Sequence, residues 1–363
     1  MVLCVRPIPG TPDTTERGAT MNRRVAFCAD GTWDGMNNNT NVFKISNAIS
    51  SVPGVQYKFY DSGVGADGTP IEKLAGGAFG EGLFQKVKDG YTRIADVYED
   101  QDEIFIFGFS RGAYTARSIA GMIAACGLPT NNPDINLVNT AFEAYRNKDQ
   151  RATLLATLGA YGMVNAPITM VGVWDTVGSL GIPAIFGGVD PLQFGFLDTG
   201  LNPRILHAYH AVAIDEKRIE FPPTLWTTTP GPNQTISQVY FCGVHSDVGG
   251  GYADDPTSGS ALSDITLSWM MSKAQALGLV FDPVAIAKYY PSAAKNALDT
   301  KHESWNPLWL FPKPRQIDAK VTLANSVLLR CQHDNSYRPC NLSLLDTGLP
   351  AAGYGAEAVV VVD

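Results

Sequence analysis

Residues 104–117 read Ile104-Phe-Ile-Phe-Gly108-Phe-Ser110-Arg-Gly112-Ala-Tyr-Thr-Ala-Arg117, and this stretch decides the fold. Residues 104–109 are apolar almost throughout, as a strand buried on both faces should be. Ser110 follows at once, and residues 113–126 read as a helix. The result is a G-x-S-x-G pattern between a buried strand and a helix. In that context the serine occupies a tight strand-to-helix turn that lifts its hydroxyl clear of the sheet. Side chains at the two glycine positions would collide with neighbouring elements. The helix N-terminus points at the serine, so its amides and dipole favour negative charge developing there. An ordinary strand-to-helix turn is the plain alternative.

The same design recurs on both sides of this unit. Residues 24–29 form a short apolar run ending in Asp30-Gly31-Thr32. Residues 55–60 read as a strand before the loop Ser62-Gly-Val-Gly65, and residues 82–98 as an amphipathic helix. Residues 168–174 form a strand ending at Asp175, and residues 239–244 one ending at His245. Helices are expected at 136–146, 263–276 and 282–289. Alternating strands and helices argue for an α/β fold with a mainly parallel sheet flanked by helices. Residues 1–21 read as a loose tail. No linker divides residues 22–363, which read as one domain with lid-like insertions at about 181–204 and 290–320.

Composition removes several function classes. Lys and Arg number 27 against 35 Asp and Glu, a net charge of −8, and no basic run stands out. That balance argues against nucleic acid as a partner. No apolar stretch reaches the roughly 18 residues of a membrane span. The N-terminus lacks the long apolar core of a signal peptide, so a cytoplasmic chain, or one exported without a cleaved leader, is expected. The six cysteines have no metal-type spacing and read as mostly reduced and buried, with Cys331 and Cys340 close enough in sequence to pair.

A serine hydroxyl needs a base to attack, and the base needs an orienting acid. In α/β-hydrolases the chain order is Ser, then Asp or Glu, then His. Of the five histidines, His245 alone follows a strong apolar strand and precedes a glycine-rich loop. It is the expected base. His207 and His210 read as structural residues of a helix. Asp175, at a strand end between serine and histidine, is the expected acid, and Asp247 is its rival, with bonding to local backbone N–H groups its better-suited role. For the oxyanion, one donor is expected from the N–H of Arg111. The other is expected from the loop after the first strand, through Gly31 or Thr32.

Two other readings remain. Asp30, Asp61, Asp175, His245 and Asp247 supply the residue types of a divalent-metal phosphoesterase, although that reading leaves the serine turn unexplained. A non-catalytic binding protein on a hydrolase scaffold is the third, and an intact Ser, His and Asp set argues against it. The serine mechanism itself calls for no metal and no cofactor.

Taken together, several motifs resemble a known family. They are Phe27-Cys-Ala-Asp-Gly-Thr-Trp33, Gly108-Phe-Ser-Arg-Gly-Ala-Tyr-Thr-Ala-Arg117, Val173-Trp-Asp-Thr-Val177 and Gly243-Val-His-Ser-Asp-Val-Gly-Gly-Gly-Tyr252. Asp215-Glu-Lys-Arg218, residues 221–226 and 262–269, Tyr337-Arg-Pro and Asn341-Leu342 also fit. The pattern resembles the uncharacterised α/β-hydrolase domain family that includes type VI secretion phospholipase effectors of the first lipase class. It covers about residues 22–345. The resemblance implies Ser110 as nucleophile, Asp175 as acid and His245 as base of a carboxylic ester hydrolase, with phospholipids the substrates of characterised secreted members. Those members usually carry large additional membrane-binding modules.

Two aromatic stretches bear on the substrate. Phe186, Phe194 and Phe196 suit a lid over an apolar pocket. Trp305, Trp309 and Phe311, followed by Lys313 and Arg315, have the composition of an interfacial segment. Acyl chains would then be the natural substrate, since each buried CH₂ gains about 0.8 kcal/mol. Ordinary packing is the alternative for both stretches. A peripheral membrane contact follows only from the first view, and the sequence does not specify an oligomeric state.

Overall fold

Strand β3 (Glu103–Phe109) lies in the middle of the sheet, and its two faces meet different layers. Phe105, Phe107 and Phe109 pack on one side, and Ile104 and Ile106 on the other. A strand covered on both faces has no place for polar side chains, which explains its unbroken apolar run. The computed structural model describes residues 22–31, 39–63, 77–130, 132–178, 200–289, 297–306, 311–318, 321–342 and 359–360.

In chain order, β1 (Arg24–Ala29), α1 (Asn41–Ala48), β2 (Gln56–Asp61) and α2 (Gly77–Ala95) precede β3. Helix α3 (Ser110–Cys126) follows it, then β4 (Leu128–Pro129), α4 (Ile135–Arg146), α5 (Arg151–Leu158) and β5 (Met163–Val164). Next come β6 (Ile168–Trp174), β7 (Ile205–Ala213), β8 (Thr235–Phe241), the short α6 (His245–Gly249), α7 (Leu262–Ala276) and α8 (Pro283–Tyr289). The last elements are β9 (Thr322–Ala324), α9 (Asn325–His333) and β10 (Val359–Val360).

Among the described residues one large sheet runs in the order β10-β9-β8-β7-β6-β3-β1-β2, with every neighbouring pair parallel. β4 and β5 form a separate antiparallel pair. Helices α2, α3 and α4 cover one face of the sheet. Helices α1 and α7 cover the other, with Trp269 of α7 against Tyr209 and Phe241. The chain steps from β1 outward to β2, then returns to place β3 on the other side of β1. A reversal of this kind opens a crevice at the carboxyl ends of the strands, where ligands of open α/β sheets bind.

The α/β architecture is the one the alternation implies, and β1 and β6 have the expected bounds. Two differences have physical reasons. His207 and His210 lie in β7, a strand and not a helix. The run Ile-Leu-His-Ala-Tyr-His-Ala-Val-Ala is rich in helix-favouring alanine, and only pairing with β6 and β8 selects the extended form. Strand β8 begins four residues earlier than expected and stops at Phe241. Its polar first half hides it in the sequence, and Gly243 at φ +107° turns the chain before His245. Cys331 and Cys340 are both free thiols, Cys331 buried and Cys340 exposed.

The two glycines of the serine turn are required by close approach. A Cβ on Gly108 would stand 2.4 Å from the Gly112 carbonyl oxygen. One on Gly112 would stand 2.2 Å from the Ala29 oxygen and 2.3 Å from the Asp30 oxygen. These are backbone atoms that cannot rotate away. Gly112→Ala is therefore expected to lower stability by about 3 kcal/mol, measured by urea unfolding, and a loss under about 1 kcal/mol would contradict this packing.

Candidate active site

Ser110 stands where β3 becomes α3, with φ +58°. A non-glycine residue in the left-handed region is strained, and such strain persists only where surrounding structure fixes it. Here the buried strand on one side and the buried helix on the other do so. The same strain appears at Asp175, φ +38°, one residue past β6. His245 opens α6, four residues past β8. Three side chains spread over 135 residues thus reach one rim of the sheet.

They touch. Ser110 Oγ lies 2.8 Å from His245 Nε2, and His245 Nδ1 lies 2.6 Å from Asp175 Oδ2. All three residues are buried. Asp175 Oδ1 also accepts the Ala213 N–H at 2.9 Å. The His245 ring is held between Phe109 and Phe221, with ring centroids 4.6 and 5.0 Å away. Its backbone N–H donates to Glu216 Oε2 at 3.2 Å, and Glu216 is itself paired with Arg218 at 2.9 Å.

Arg315 faces Asp175 and not the surface that its aromatic neighbours suggest. Its guanidinium is buried and donates to both carboxylate oxygens of Asp175, at 2.7 and 2.8 Å. The same two nitrogens donate to the carbonyls of Ala213 (2.8 Å) and Phe221 (2.7 Å). The interfacial reading of residues 305–315 is corrected on this point. Phe311 is exposed, but Arg315 turns inward onto the acid. Nothing local signals this, because the segment has no periodicity and its partner lies 140 residues away.

The electrostatics follow from burial and these pairings. Burial alone would push the Asp175 carboxyl up, but Arg315 and the His245 hydrogen bond outweigh it and hold the group well below the usual carboxylate range. Burial pulls His245 below the usual imidazole value, with Asp175 offsetting part of the effect. The imidazole is therefore neutral at pH 7, with Nε2 available to accept the Ser110 proton.

A scan against family models matches residues 23–273 to the catalytic domain of T6SS Tle1-like phospholipase effectors. This chain belongs to that family. The match spans Ser110, Asp175 and His245 and ends well before Arg315, so the clamp on the acid comes from outside the matched segment of this Tle1-like domain. An uncharacterized Saccharomyces cerevisiae protein, YEL023C, is 26 % identical over 275 residues, 68 % of this chain and 38 % of its own length. A solved structure of an uncharacterized Pseudomonas aeruginosa protein aligns with 18 % identity and TM-score 0.47, over 76 % of this chain and 50 % of that one. A Tle1 effector solved bound to the VgrG spike of the type 6 secretion system aligns with 19 % identity and TM-score 0.37, over 67 % and 53 %. The Tle1-like chain thus spans about two fifths of the yeast protein and about half of each solved chain.

Other expected site residues fall out as follows. Arg111 is the second residue of α3, in the first turn, whose amides point along the helix axis toward the Ser110 side. The Gly31 N–H instead donates to the Asp30 carboxylate at 2.8 Å, so in this geometry it does not serve as an oxyanion donor. Thr32, Phe186, Phe194, Phe196 and Trp309 lie outside the described residues. Trp305 is half-buried.

Asp247 accepts from the Val244 and His302 amides at 3.0 Å and pairs with the His302 ring at 2.6 Å, leaving the His245 ring to Asp175. Among the described residues no three His, Cys, Asp or Glu side chains converge as a metal-binding set. Asp61 pairs with Lys86 at 2.8 Å. Asp30, held by Thr40 and Tyr60, is pushed up to about 6 by burial. His210 is a strand residue whose Nε2 accepts the Thr176 N–H at 3.0 Å, and burial lowers it to about 3.

Proposed function

We propose that this chain is a serine ester hydrolase acting on phospholipid acyl esters. The observation that carries the reading is the unbroken Asp175–His245–Ser110 hydrogen-bond chain at the strand ends. Ser110 Oγ attacks the ester carbonyl while His245 Nε2 takes its proton. The Asp175 carboxylate holds Nδ1–H in place and stabilises the imidazolium that forms. The protonated ring then gives its proton to the departing alcohol. Water, deprotonated by the same ring, releases the acid from the acyl-Ser110 ester. The Arg111 N–H supplies one oxyanion donor, and Thr32, which lies outside the described residues, is the candidate for the second. The end of β1 adjoins the serine turn, as the close approach of Gly112 to the Ala29 and Asp30 carbonyls indicates. Family membership favours phospholipids over other esters, and the exposed Phe311 side chain suits contact with a lipid surface.

The test is labelling by a fluorophosphonate probe, with the adduct located by mass spectrometry and the rate followed against pH. The probe is expected on Ser110. Because only neutral His245 can accept the proton, and burial lowers its pKa, the acid midpoint is expected below the usual histidine value of about 6.5. An adduct elsewhere, or a midpoint above that value, would defeat the reading. Hydrolysis products from a phospholipid panel, read by lipid mass spectrometry, then define the substrate.

A further inference from the structure

A second charged site lies on α3, away from the serine. Arg117 is two helical turns below Ser110, about 10 Å along the helix axis. It is 4 % exposed. Its Nη1 donates to the Thr224 carbonyl, and its plane lies over the Trp226 ring at 4.6 Å. Its Nε and Nη2 have no hydrogen-bond partner, and among the described residues no carboxylate pairs with it. A buried guanidinium normally sits against an acid, because removing its charge from water is costly unless the charge is paired. Burial pulls Arg117 down to about 10, which still leaves it charged at pH 7.

Arg117 borders a cavity of about 240 Å³ between α3, the α4–α5 turn and the start of β7. Lys148 and Arg151 stand on the same wall, and Tyr145, Leu201 and Trp226 complete most of the rest. Among the described residues three cations and no Asp or Glu line this cavity, in a chain whose net charge is −8. Arg151 is fixed in place by the Ala144 and Tyr145 carbonyls at 2.9 and 2.7 Å. Aromatic walls lower the local dielectric and strengthen any ion pair formed inside. Three positive groups suit an anion carrying more than one negative oxygen, and a guanidinium matches phosphoryl geometry with paired N–H donors.

We propose that this cavity binds a phosphoryl group, with the two unpartnered nitrogens of Arg117 as its principal donors. The occupant is either a soluble phosphate or the headgroup of an anionic lipid. The site shares no lining residue with the serine site, and the proposal does not depend on the hydrolase reading.

The experiment uses the full chain in phosphate-free buffer at fixed ionic strength. Inorganic phosphate is expected to raise the melting temperature saturably, as a ligand of the folded state does. Calorimetry should give a dissociation constant at least about tenfold weaker in Arg117→Met. Lys148→Glu, at an exposed position on the rim, serves if Arg117→Met does not fold. It should weaken phosphate by a similar factor, because the new carboxylate repels the ligand. Flotation separates the two sources. Vesicles of phosphatidic acid that carry the wild type but not the variants assign the site to lipid. A phosphate response without flotation assigns it to a soluble ligand. No saturable response to phosphate or phosphatidate, an equal response to acetate, or the same affinity in both variants would overturn the proposal.

Discussion

Replacing Ser110 with alanine is expected to lower ester hydrolysis by about 10⁴- to 10⁶-fold while leaving the fold intact. In the proposed mechanism the hydroxyl forms the acyl bond, and no other nucleophile lies within hydrogen-bond reach of His245 Nε2 among the described contacts. The loss should appear in kcat, because substrate still binds beside the missing oxygen. Stability should not fall, since Ser110 holds a strained φ of +58° that alanine tolerates no worse. The measurement is turnover of a short p-nitrophenyl ester and of phospholipid vesicles, beside a urea melt. Retained turnover in a folded variant would remove the serine mechanism altogether.

The second large effect is expected at Arg315. Arg315→Met leaves the Asp175 carboxylate buried with His245 and one backbone N–H as its remaining partners. Breaking one side of a buried pair costs about 3–5 kcal/mol, which a denaturant melt would read. Arg315 cancels much of the negative charge that His245 feels from Asp175. Without it the imidazolium is stabilised, the His245 pKa rises, and the acid limb of kcat/KM moves to higher pH. Displacement of Asp175 should also lower kcat, by about 10²-fold for a shift near 1 Å. Arg315→Lys keeps the charge but cannot bridge both oxygens, so it should restore the limb more than the stability. An unchanged pH limb in Arg315→Met would leave the arginine a packing residue only.

Arg315 also alters the usual logic of such a site. Besides His245, a backbone N–H, that of Ala213, already holds the Asp175 carboxylate. Here a full positive charge sits behind it, and the stability of the site and the basicity of its histidine become linked. The linkage has a direction in pH. Asp175 is held far below its unfolded value, so its pairing supports the fold at neutral pH and is lost only as the solution becomes strongly acidic.

Much of this was legible in the residue order. The G-x-S-x-G turn, the apolar runs of β1, β3 and β6 and the placing of Asp175 at a strand end follow from local rules: burial on two faces, helix spacing and steric need for glycine. His245 was legible as well, although the strand before it begins earlier than its apolar half suggests. Strand β7 was not, because its alanine-rich sequence suits a helix equally and only its two neighbours decide. Gly31 is available by sequence, yet its amide donates back to the Asp30 carboxylate.

The sequence by itself determined the layer architecture and singled out Ser110, Asp175 and His245, because each depends on residues within a few positions of one another. Tertiary structure alone decided that Arg315 closes onto Asp175, that Phe109 and Phe221 enclose His245, and that Arg117 is left without an acid. Those facts, the last of them read among the described residues, depend on how segments far apart in the chain meet, and no local pattern encodes which distant charge a buried group will meet.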